Sequence, residues 1–299
     1  MTRRVLAIDG GGCRGIIPII FLMSLEKRLG RSIHDVFDLY SGTSTGGIIS
    51  LLLATKVPLQ DIYNFYTKEP IHKIFKGRFN INPLNAIKYP SQDIEGVLRD
   101  LFKQSKLKDI SPDKNVLITS YDVLSKQAKF LTNTDVSCQE MLLSDIARST
   151  SAAPTFFEPY ENNGMLCLDG GLFANNPAMS AYVEAKKIYP EEDIIVVSLG
   201  TGSLYSYVKP EKIKKYSMLD WASNLFDLVS DGQSDTTEYI LRKLLPRENY
   251  WRFQVRISAS NANMDNVSDN NLNDLINITN SYINNDWRDS LEDLVNILK

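Results

Sequence analysis

The sequence contains few cysteines and few histidines for its 299 residues. Its three cysteines, Cys13, Cys138 and Cys167, are far apart and form no C-x-x-C pair, which argues against a disulfide framework or a cysteine zinc site and indicates reduced thiols. A Ser-His-Asp triad would have to use His34 or His72, since these are the two histidines of the chain. No histidine occurs near the C-terminus, where the α/β-hydrolase order requires one.

The sequence also lacks a strong excess of charge and a long apolar run. Its formal net charge of −3 at pH 7 argues against a nucleic-acid polymer as a partner. No run approaches the roughly 20 apolar residues that span a bilayer, and residues 5–8 are too short a stretch for the core of a signal peptide. These absences predict a soluble cytoplasmic protein that contacts membranes only at their surface.

The composition and patterning are those of a globular α/β protein. Hydrophobic residues make up 43% of the chain, and no linker or internal repeat divides it. We therefore expect one domain over residues 1–299, with a catalytic part at 4–202 and a mainly helical part at 203–299. Short β-branched runs alternate with amphipathic stretches, which predicts a largely parallel sheet between helices.

Local patterns make more specific predictions about single elements. Residues 36–40 are predicted to form a strand, and the alternating residues 250–257 to form another. The Asn-rich residues 259–274 are predicted to be a mobile loop. Residues 62–90 alternate aromatic and basic side chains, which allows a lipid-facing lid or ordinary surface packing. One row at helical spacing is expected to be core or a cap over a cleft and not a membrane anchor, namely Leu219, Ala222, Phe226 and Val229, with Trp221 and Leu225 beside it.

The first motif is the run from Asp9 to Gly15, which lies between a predicted strand and a predicted helix. Consecutive glycines allow a tight turn that aims several backbone N–H groups at one anion. Its spacing also matches the dinucleotide fingerprint G-x-G-x-x-G, which requires an acidic residue at the end of the second strand. Asp35 and Asp38 flank the start of that strand instead. A plain glycine turn is the third interpretation of the run.

The second motif is G-x-S-x-G, with Gly42, Ser44 and Gly46. It follows the predicted strand at residues 36–40 and precedes an apolar helix that begins near residue 47. This order is typical of a nucleophile elbow, where small neighbours allow a strained turn that exposes the serine hydroxyl. Ser44 is therefore the candidate nucleophile.

The third motif is Asp169 followed by Gly170 and Gly171. Such a sequence can be a simple turn, but a serine nucleophile needs a base. His34 precedes the second strand, which puts it at the other end of the sheet from Ser44, and His72 lies in a loop-like stretch. The best candidate for the base is therefore the carboxylate of Asp169.

Taken together, these motifs resemble the patatin-like phospholipase family. Further matching segments are Ser149–Phe157, Asn175–Ala178 and Ser198–Gly202, in the family's order across residues 4 to about 202. The resemblance implies a three-layer α/β/α sandwich and a Ser–Asp dyad in which Ser44 is the nucleophile and Asp169 the base. It implies no metal and no cofactor.

The resemblance also assigns the remaining motif residues. The oxyanion hole would be formed by the backbone N–H groups of Gly10, Gly11, Gly12 and Cys13. The supporting residues would be Arg14, which could also meet a lipid phosphate, and Gly15, Gly42, Gly46, Gly170 and Gly171. Family members often have an aliphatic residue at the position of Cys13, and only its amide is needed.

The implied substrate is a phospholipid or another acyl ester, which is cleaved through an acyl-enzyme. One alternative is a soluble esterase or acyl transferase that acts on esters other than phospholipids. Another is a phospholipase effector of antiphage defence that a cyclic dinucleotide activates. A binding module without turnover is a further alternative.

Overall fold

The structure is a computed structural model that describes residues 2–77, 87–204 and 210–299. Its strands are β1 (Thr2–Ile8), β2 (Leu39–Gly42), β3 (Asn115–Asp122), β4 (Gln127–Thr132), β5 (Tyr160–Asn162), β6 (Met165–Asp169), β7 (Asp193–Leu199), β8 (Ser203–Leu204), β9 (Tyr250–Phe253) and β10 (Arg256–Ile257). Its helices are α1 (Ile16–Leu29), α2 (Thr45–Ala54), α3 (Leu59–Thr67), α4 (Glu69–Ile74), α5 (Ser91–Phe102), α6 (Leu143–Thr150), α7 (Gly171–Ala174), α8 (Ala178–Ile188), α9 (Pro210–Ile213), α10 (Met218–Leu244), α11 (Asp269–Asn284) and α12 (Arg288–Leu298).

The main sheet has the strand order β5-β6-β3-β2-β1-β7-β9, and β4 also pairs with β3. Strand β1 lies inside this sheet and is parallel to both β2 and β7. Strands β3 and β9 continue the parallel part on either side. Strands β4 and β6 pair with β3 in antiparallel orientation, and β5 pairs with β6 in the same way. The prediction of a largely parallel central sheet is confirmed.

Two hydrophobic cores lie on opposite faces of this sheet. Alternate side chains of a strand point to opposite faces, and β1 follows this rule. Leu6 and Ile8 belong to a core that includes residues of α1, α2, α11 and α12. Val5 and Ala7 belong to a second core, which includes residues of α8 and α10. The three-layer α/β/α sandwich is thereby confirmed.

The second strand begins later than its sequence pattern predicts. The prediction began at residue 36, but β2 begins at Leu39, and residues 33–35 form a short 3₁₀ helix. The backbone N–H of Arg4 donates to the Asp38 carboxylate at 2.7 Å. This bond satisfies the N–H of Arg4 with a side chain just before the pairing of β1 with β2 starts at Leu39. Val36 and Phe37 are buried although they are not part of the strand.

Two predictions for the C-terminal part were wrong in detail. Residues 250–257 form two strands, because β9 joins the main sheet and β10 pairs with β8. Residues 259–274 are not one loop, because α11 begins at Asp269, where Ser268 accepts a hydrogen bond from the backbone N–H of Asn271. The part before α11 packs on the glycine-rich loop.

The members of the apolar row on α10, which was expected to be core or a cap, have different surroundings in the structure. On α10, Phe226 lines a pocket, but Trp221, Leu225 and Val229 are 45%, 56% and 41% exposed. The core interpretation of these three residues was wrong. No helix in the described ranges is long and apolar enough to cross a membrane.

Some sequence predictions fall outside the described residues. These are the side chains of Leu219 and Ala222 and residues 78–86 of the predicted lid. The described part of that lid consists mainly of α3 and α4, and Tyr66 of α3 is buried in the core.

Candidate active site

The turn that carries Ser44 joins β2 directly to α2. The Ser44 backbone has φ 54° and ψ −124°, a conformation that residues with a side chain rarely adopt. A β-carbon at Gly42 would lie 2.1 Å from the carbonyl oxygen of Gly46, and one at Gly46 would lie 2.1 Å from that of Ile8. These close approaches explain why glycine stands at both positions of the motif, and the predicted strand–turn–helix arrangement is confirmed.

Ser44 and Asp169 line the same pocket, and the Ser44 hydroxyl is close enough to act on the pKa of the Asp169 carboxyl, which it lowers. The backbone N–H of Ser44 donates to Thr150 Oγ1 at 2.8 Å, which ties the turn to the end of α6. Helix α2 begins at the next residue, so the partial positive charge of its N-terminus lies beside the Ser44 side chain. The Asp169 carboxylate, which can accept a proton, and the N-terminus of α2 therefore both lie near the Ser44 hydroxyl.

Asp169 reaches Ser44 because β6 runs antiparallel to β3. Asp169 is paired with Ser120 of β3, and Ile118, two residues earlier on β3, is paired with Gly42 of β2. The C-terminal end of β6 thus lies near the C-terminal end of β2, where the Ser44 turn begins. The topology brings together two residues that are 125 positions apart in the sequence (169 − 44).

The Asp169 carboxyl is buried, with 1% of the residue exposed. Burial raises its pKa from 3.8 to about 7, although hydrogen bonds from the Gly171 backbone N–H and from Ser44 act in the opposite direction. The Gly171 N–H donates to Asp169 Oδ1 at 2.8 Å. A β-carbon at Gly170 would lie 2.0 Å from Thr119 Oγ1, so this glycine permits a close approach to β3.

The glycine-rich loop is anchored by two of its own backbone N–H groups. Gly10 N–H donates to the carbonyl oxygen of Asn175 at 3.2 Å, and Cys13 N–H donates to that of Met264 at 2.7 Å. Within the described part of the chain, the N–H groups of Gly11 and Gly12 have no such acceptor. Of the four amides expected to form the oxyanion hole, those of Gly10 and Cys13 thus donate to backbone carbonyls in this structure, and those of Gly11 and Gly12 are available.

The side chains that follow the glycines face the protein interior. Arg14 is 8% exposed, and its guanidinium donates to the carbonyl oxygens of Gly11 and Ala262. This guanidinium therefore braces the loop. Burial raises the pKa of the Cys13 thiol to about 12, which is expected of an unreactive side chain. Gly15 packs against Thr45 and Tyr66, where no β-carbon would fit.

Arg252 contributes to the site from β9, and sequence reasoning missed it. Its guanidinium forms two hydrogen bonds with the Asp9 carboxylate, at 2.8 and 2.6 Å, and both side chains are buried. Asp9 immediately precedes Gly10, so this ion pair fixes the start of the glycine-rich loop. No sequence signal indicates the pair, because its members are 243 positions apart.

An apolar pocket opens next to Ser44 and Asp169. Gly10, Gly11 and Gly12 form one side of it. The other lining residues are mostly aliphatic and aromatic, and they are Thr45, Ile48, Phe65, Tyr66, Ile71, Ile74, Phe75, Ile94, Ser151, Ala153, Phe156, Phe157, Asn175, Phe226 and Met264. Ser151 to Phe157 belong to a motif that the sequence analysis noted without a role. The pocket suits a hydrocarbon chain that ends at Ser44.

Both histidines lie in the described part of the chain. His34 is buried, and its Nδ1 is 2.9 Å from the carbonyl oxygen of Leu53. His72 Nδ1 is 2.9 Å from the carbonyl oxygen of Lys68. Neither histidine lines the pocket that contains Ser44. The acceptor next to Ser44 is therefore the Asp169 carboxylate.

Comparison with known proteins gives several similar chains. Patatin-like protein 2 of Oryza sativa subsp. indica is 30% identical over an alignment that covers 92% of this chain and 82% of that protein. The cGAMP-activated phospholipase of Pseudomonas aeruginosa is 30% identical, with 87% of this chain and 79% of that protein covered. Calcium-independent phospholipase A2-gamma of Mus musculus is 30% identical over 91% of this chain and 37% of that protein.

The sequence profile of the patatin-like phospholipases matches residues 6–182. This range contains the glycine-rich loop, the Ser44 turn and Asp169. Two of the relatives above reach 30% identity with most of both chains covered. The chain therefore belongs to the patatin-like phospholipase family.

Proposed function

We propose that this protein hydrolyses fatty-acyl esters of glycerophospholipids, with Ser44 as nucleophile and Asp169 as base. The observation that carries the proposal is that the Ser44 turn and the buried Asp169 carboxylate line one apolar pocket. Both groups required for acyl transfer through a covalent intermediate thus lie at one site. Gly11 and Gly12, whose N–H groups donate to no backbone carbonyl in the described residues, line the same pocket.

The first half of the reaction forms an acyl-enzyme. Asp169 accepts the hydroxyl proton while Ser44 Oγ bonds to the ester carbonyl carbon. The carbonyl oxygen becomes an oxyanion that accepts hydrogen bonds from Gly11 and Gly12, and one such donor is worth about 3–4 kcal/mol in a known protease. The bond to the glycerol oxygen then breaks, and the proton on Asp169 passes to that oxygen. The lysophospholipid leaves.

The second half of the reaction restores the enzyme. Asp169 takes a proton from a water molecule, whose oxygen bonds to the acyl carbon. The tetrahedral intermediate then expels Ser44 Oγ, which regains its proton from Asp169, and the fatty acid leaves. A carboxyl pKa of about 7 makes Asp169 a far better base for these steps than an ordinary aspartate.

A lipid substrate is supported by the pocket and by the relatives. The pocket wall offers aromatic and aliphatic side chains to an acyl chain, including Phe65, Phe157 and Phe226. Two of the relatives are named phospholipases. The exposed apolar side chains of α10, which also supplies Phe226, would let the protein rest transiently on a lipid surface.

Fatty-acid release from mixed phospholipid vesicles tests the proposal. Wild type should release fatty acid, and Ser44→Ala should lose essentially all turnover because it lacks the nucleophile. Ser137→Ala is the matched control, since Ser137 is exposed and lies outside the pocket. Full activity of Ser44→Ala would refute the mechanism. Turnover of short soluble esters alone would support the alternative of a soluble esterase or acyl transferase.

Activation by a cyclic dinucleotide is a second candidate function. It is favoured by one observation, namely the similarity to a relative named cGAMP-activated phospholipase over 87% of this chain. Under this hypothesis the same hydrolysis serves antiphage defence. Fatty-acid release should then rise when cGAMP is added to wild type. Equal release with and without cGAMP would contradict it.

A further inference from the structure

The loop before α11 contacts the glycine-rich loop through a series of backbone carbonyls. We call residues 261–267 the clamp segment. The carbonyl oxygen of Met264 accepts the Cys13 N–H at 2.7 Å, and that of Ala262 accepts the Arg14 guanidinium at 3.1 Å. The Cys13 thiol lies 3.4 Å from the carbonyl oxygen of Asn266. Carbonyls from one segment thus hold two consecutive residues of the glycine-rich loop.

These contacts decide which amides remain available. The Asn175 carbonyl anchors Gly10 at one end of the glycine-rich loop, and the Met264 carbonyl anchors Cys13 at the other. Gly11 and Gly12 lie between the anchors. A β-carbon at Gly12 would lie 2.2 Å from the Met264 oxygen, so the two backbones are in direct contact. The position of Met264 therefore limits where the Gly12 N–H can point.

The clamp segment is itself held by a buried side chain of α11. Asn271 is 4% exposed, and both ends of its side-chain amide are used. Asn271 Nδ2 donates to the carbonyl oxygen of Asn266 at 2.6 Å, and Asn271 Oδ1 accepts from Asn261 Nδ2 at 3.0 Å. This one side chain therefore joins the two ends of the clamp segment across Met264.

A second attachment lies at the middle of the clamp segment. The Asp265 carboxylate accepts a hydrogen bond from Tyr89 Oη at 2.8 Å and forms an ion pair with Lys88. Tyr89 in turn stacks with Phe156 and contacts Phe157, which line the apolar pocket. The clamp segment is thus fixed both to α11 and to the wall of the pocket.

We propose that Asn271 is a positioning residue for the oxyanion hole. It acts through the clamp segment, which holds Cys13 so that the Gly11 and Gly12 N–H groups face the oxygen of the carbonyl group attacked by Ser44. This inference rests on the proposed function. The positioning role of Asn271 gives the Asn-rich stretch of the sequence a function at a distance from the substrate. Hydrogen-bond donors in an oxyanion hole stabilise a transition state only when their geometry is fixed beforehand.

Steady-state kinetics of Asn271→Ala on a soluble ester test the inference. The variant loses both side-chain hydrogen bonds, so kcat should fall about 10- to 100-fold, the size expected when donors are misplaced by about 1 Å. KM should change less than about twofold, because the apolar lining outside the clamp segment is intact. Asn273→Ala is the matched control, since Asn273 lies on the exposed side of the same helix. It should behave as wild type.

The outcomes separate this inference from the proposed function. If Ser44→Ala is inactive while Asn271→Ala keeps the wild-type kcat, the positioning role is wrong and the nucleophile stands. An increase in kcat would also overturn the role, because the clamp segment would then restrain the site. If Asn271→Ala unfolds, Asp265→Asn provides a second test, because it weakens the attachment of the clamp segment to Lys88 and Tyr89. The kcat of Asp265→Asn should fall while its KM stays unchanged. A wild-type kcat for folded Asp265→Asn would likewise overturn the inference.

Discussion

Removing a carboxylate from water costs free energy, and Asp169 is 1% exposed. This cost raises its pKa from 3.8 to about 7. Between these two values the folded chain holds a proton that the unfolded chain has lost. The free energy of unfolding contributed by this group therefore falls as the pH rises from about 3.8 to about 7. At the scale of single residues, this burial lowers the stability of the fold above about pH 3.8 and keeps the pKa of a buried carboxyl near neutral.

The pH dependence of kcat/KM follows from the same pKa. Only the ionised Asp169 accepts the Ser44 proton, so kcat/KM should rise about tenfold per pH unit below pH 7 and level off above it. A pH series with a soluble short-chain ester measures this profile. Asp169→Asn should fold and lose about 100-fold or more of the activity across the series. A flat wild-type profile from about pH 5 to about pH 8 would contradict the assignment of the base.

The Ser44 turn shows how single elements set this geometry. The turn needs an unfavourable backbone conformation at Ser44, and the surrounding glycines make that conformation possible by allowing close approaches. Strand β2 and helix α2 are both buried, so their packing stabilises the turn between them. The packing of β2 and α2 thus maintains the strained turn at Ser44.

Gly46→Ala tests this account of the turn. Its new methyl group would meet the Ile8 carbonyl oxygen at 2.1 Å, so the turn must shift. We expect a loss of about 1–3 kcal/mol of unfolding free energy, together with a large loss of kcat. Chemical denaturation and ester hydrolysis measure the two effects. Gly232→Ala on α10 is the control, because nothing lies within 4 Å of the added carbon. A wild-type stability and kcat for Gly46→Ala would show that the close approach is unimportant.

At the scale of single elements, some features could be predicted from the sequence and others could not. The glycine-rich loop and the Ser44 turn are each coded by a few adjacent residues, and both were predicted. The anchors of the loop could not be predicted, because Asn175 and Met264 act through backbone carbonyls that any residue possesses. Arg252 was missed because its partner, Asp9, is a position that only the folded topology brings near. Asn271 was missed because it and its partners belong to a stretch that was predicted to be a mobile loop.

For the whole molecule, the long helix α10 connects the pocket with the surface. Phe226 lines the pocket, whereas Trp221, Leu225 and Leu228 of the same helix are exposed. The sequence pattern showed an apolar row on this helix, but periodicity alone could not say which members face the protein. Exposed apolar side chains on a helix that also lines an apolar pocket suit contact with a lipid surface.

A double variant, Leu225→Ser with Leu228→Ser, tests this contact. Burying one such side chain is worth about 1.5–3 kcal/mol, so binding to phospholipid vesicles should fall at least about tenfold. Vesicle sedimentation measures the binding, and hydrolysis of a soluble ester should remain at the wild-type level. Val136→Ser changes another exposed apolar residue and serves as the control. Unchanged vesicle binding of the double variant would exclude this face of α10 as the contact.

The central claim is that Ser44 forms the covalent bond to the acyl group, and labelling with a long-chain alkyl fluorophosphonate tests it most directly. This reagent phosphonylates an activated serine, and peptide mass spectrometry locates the adduct. We predict one adduct per chain, on the peptide that contains Ser44, with activity lost in proportion to labelling. An adduct on another residue, or complete loss of activity with Ser44 unlabelled, would contradict the account.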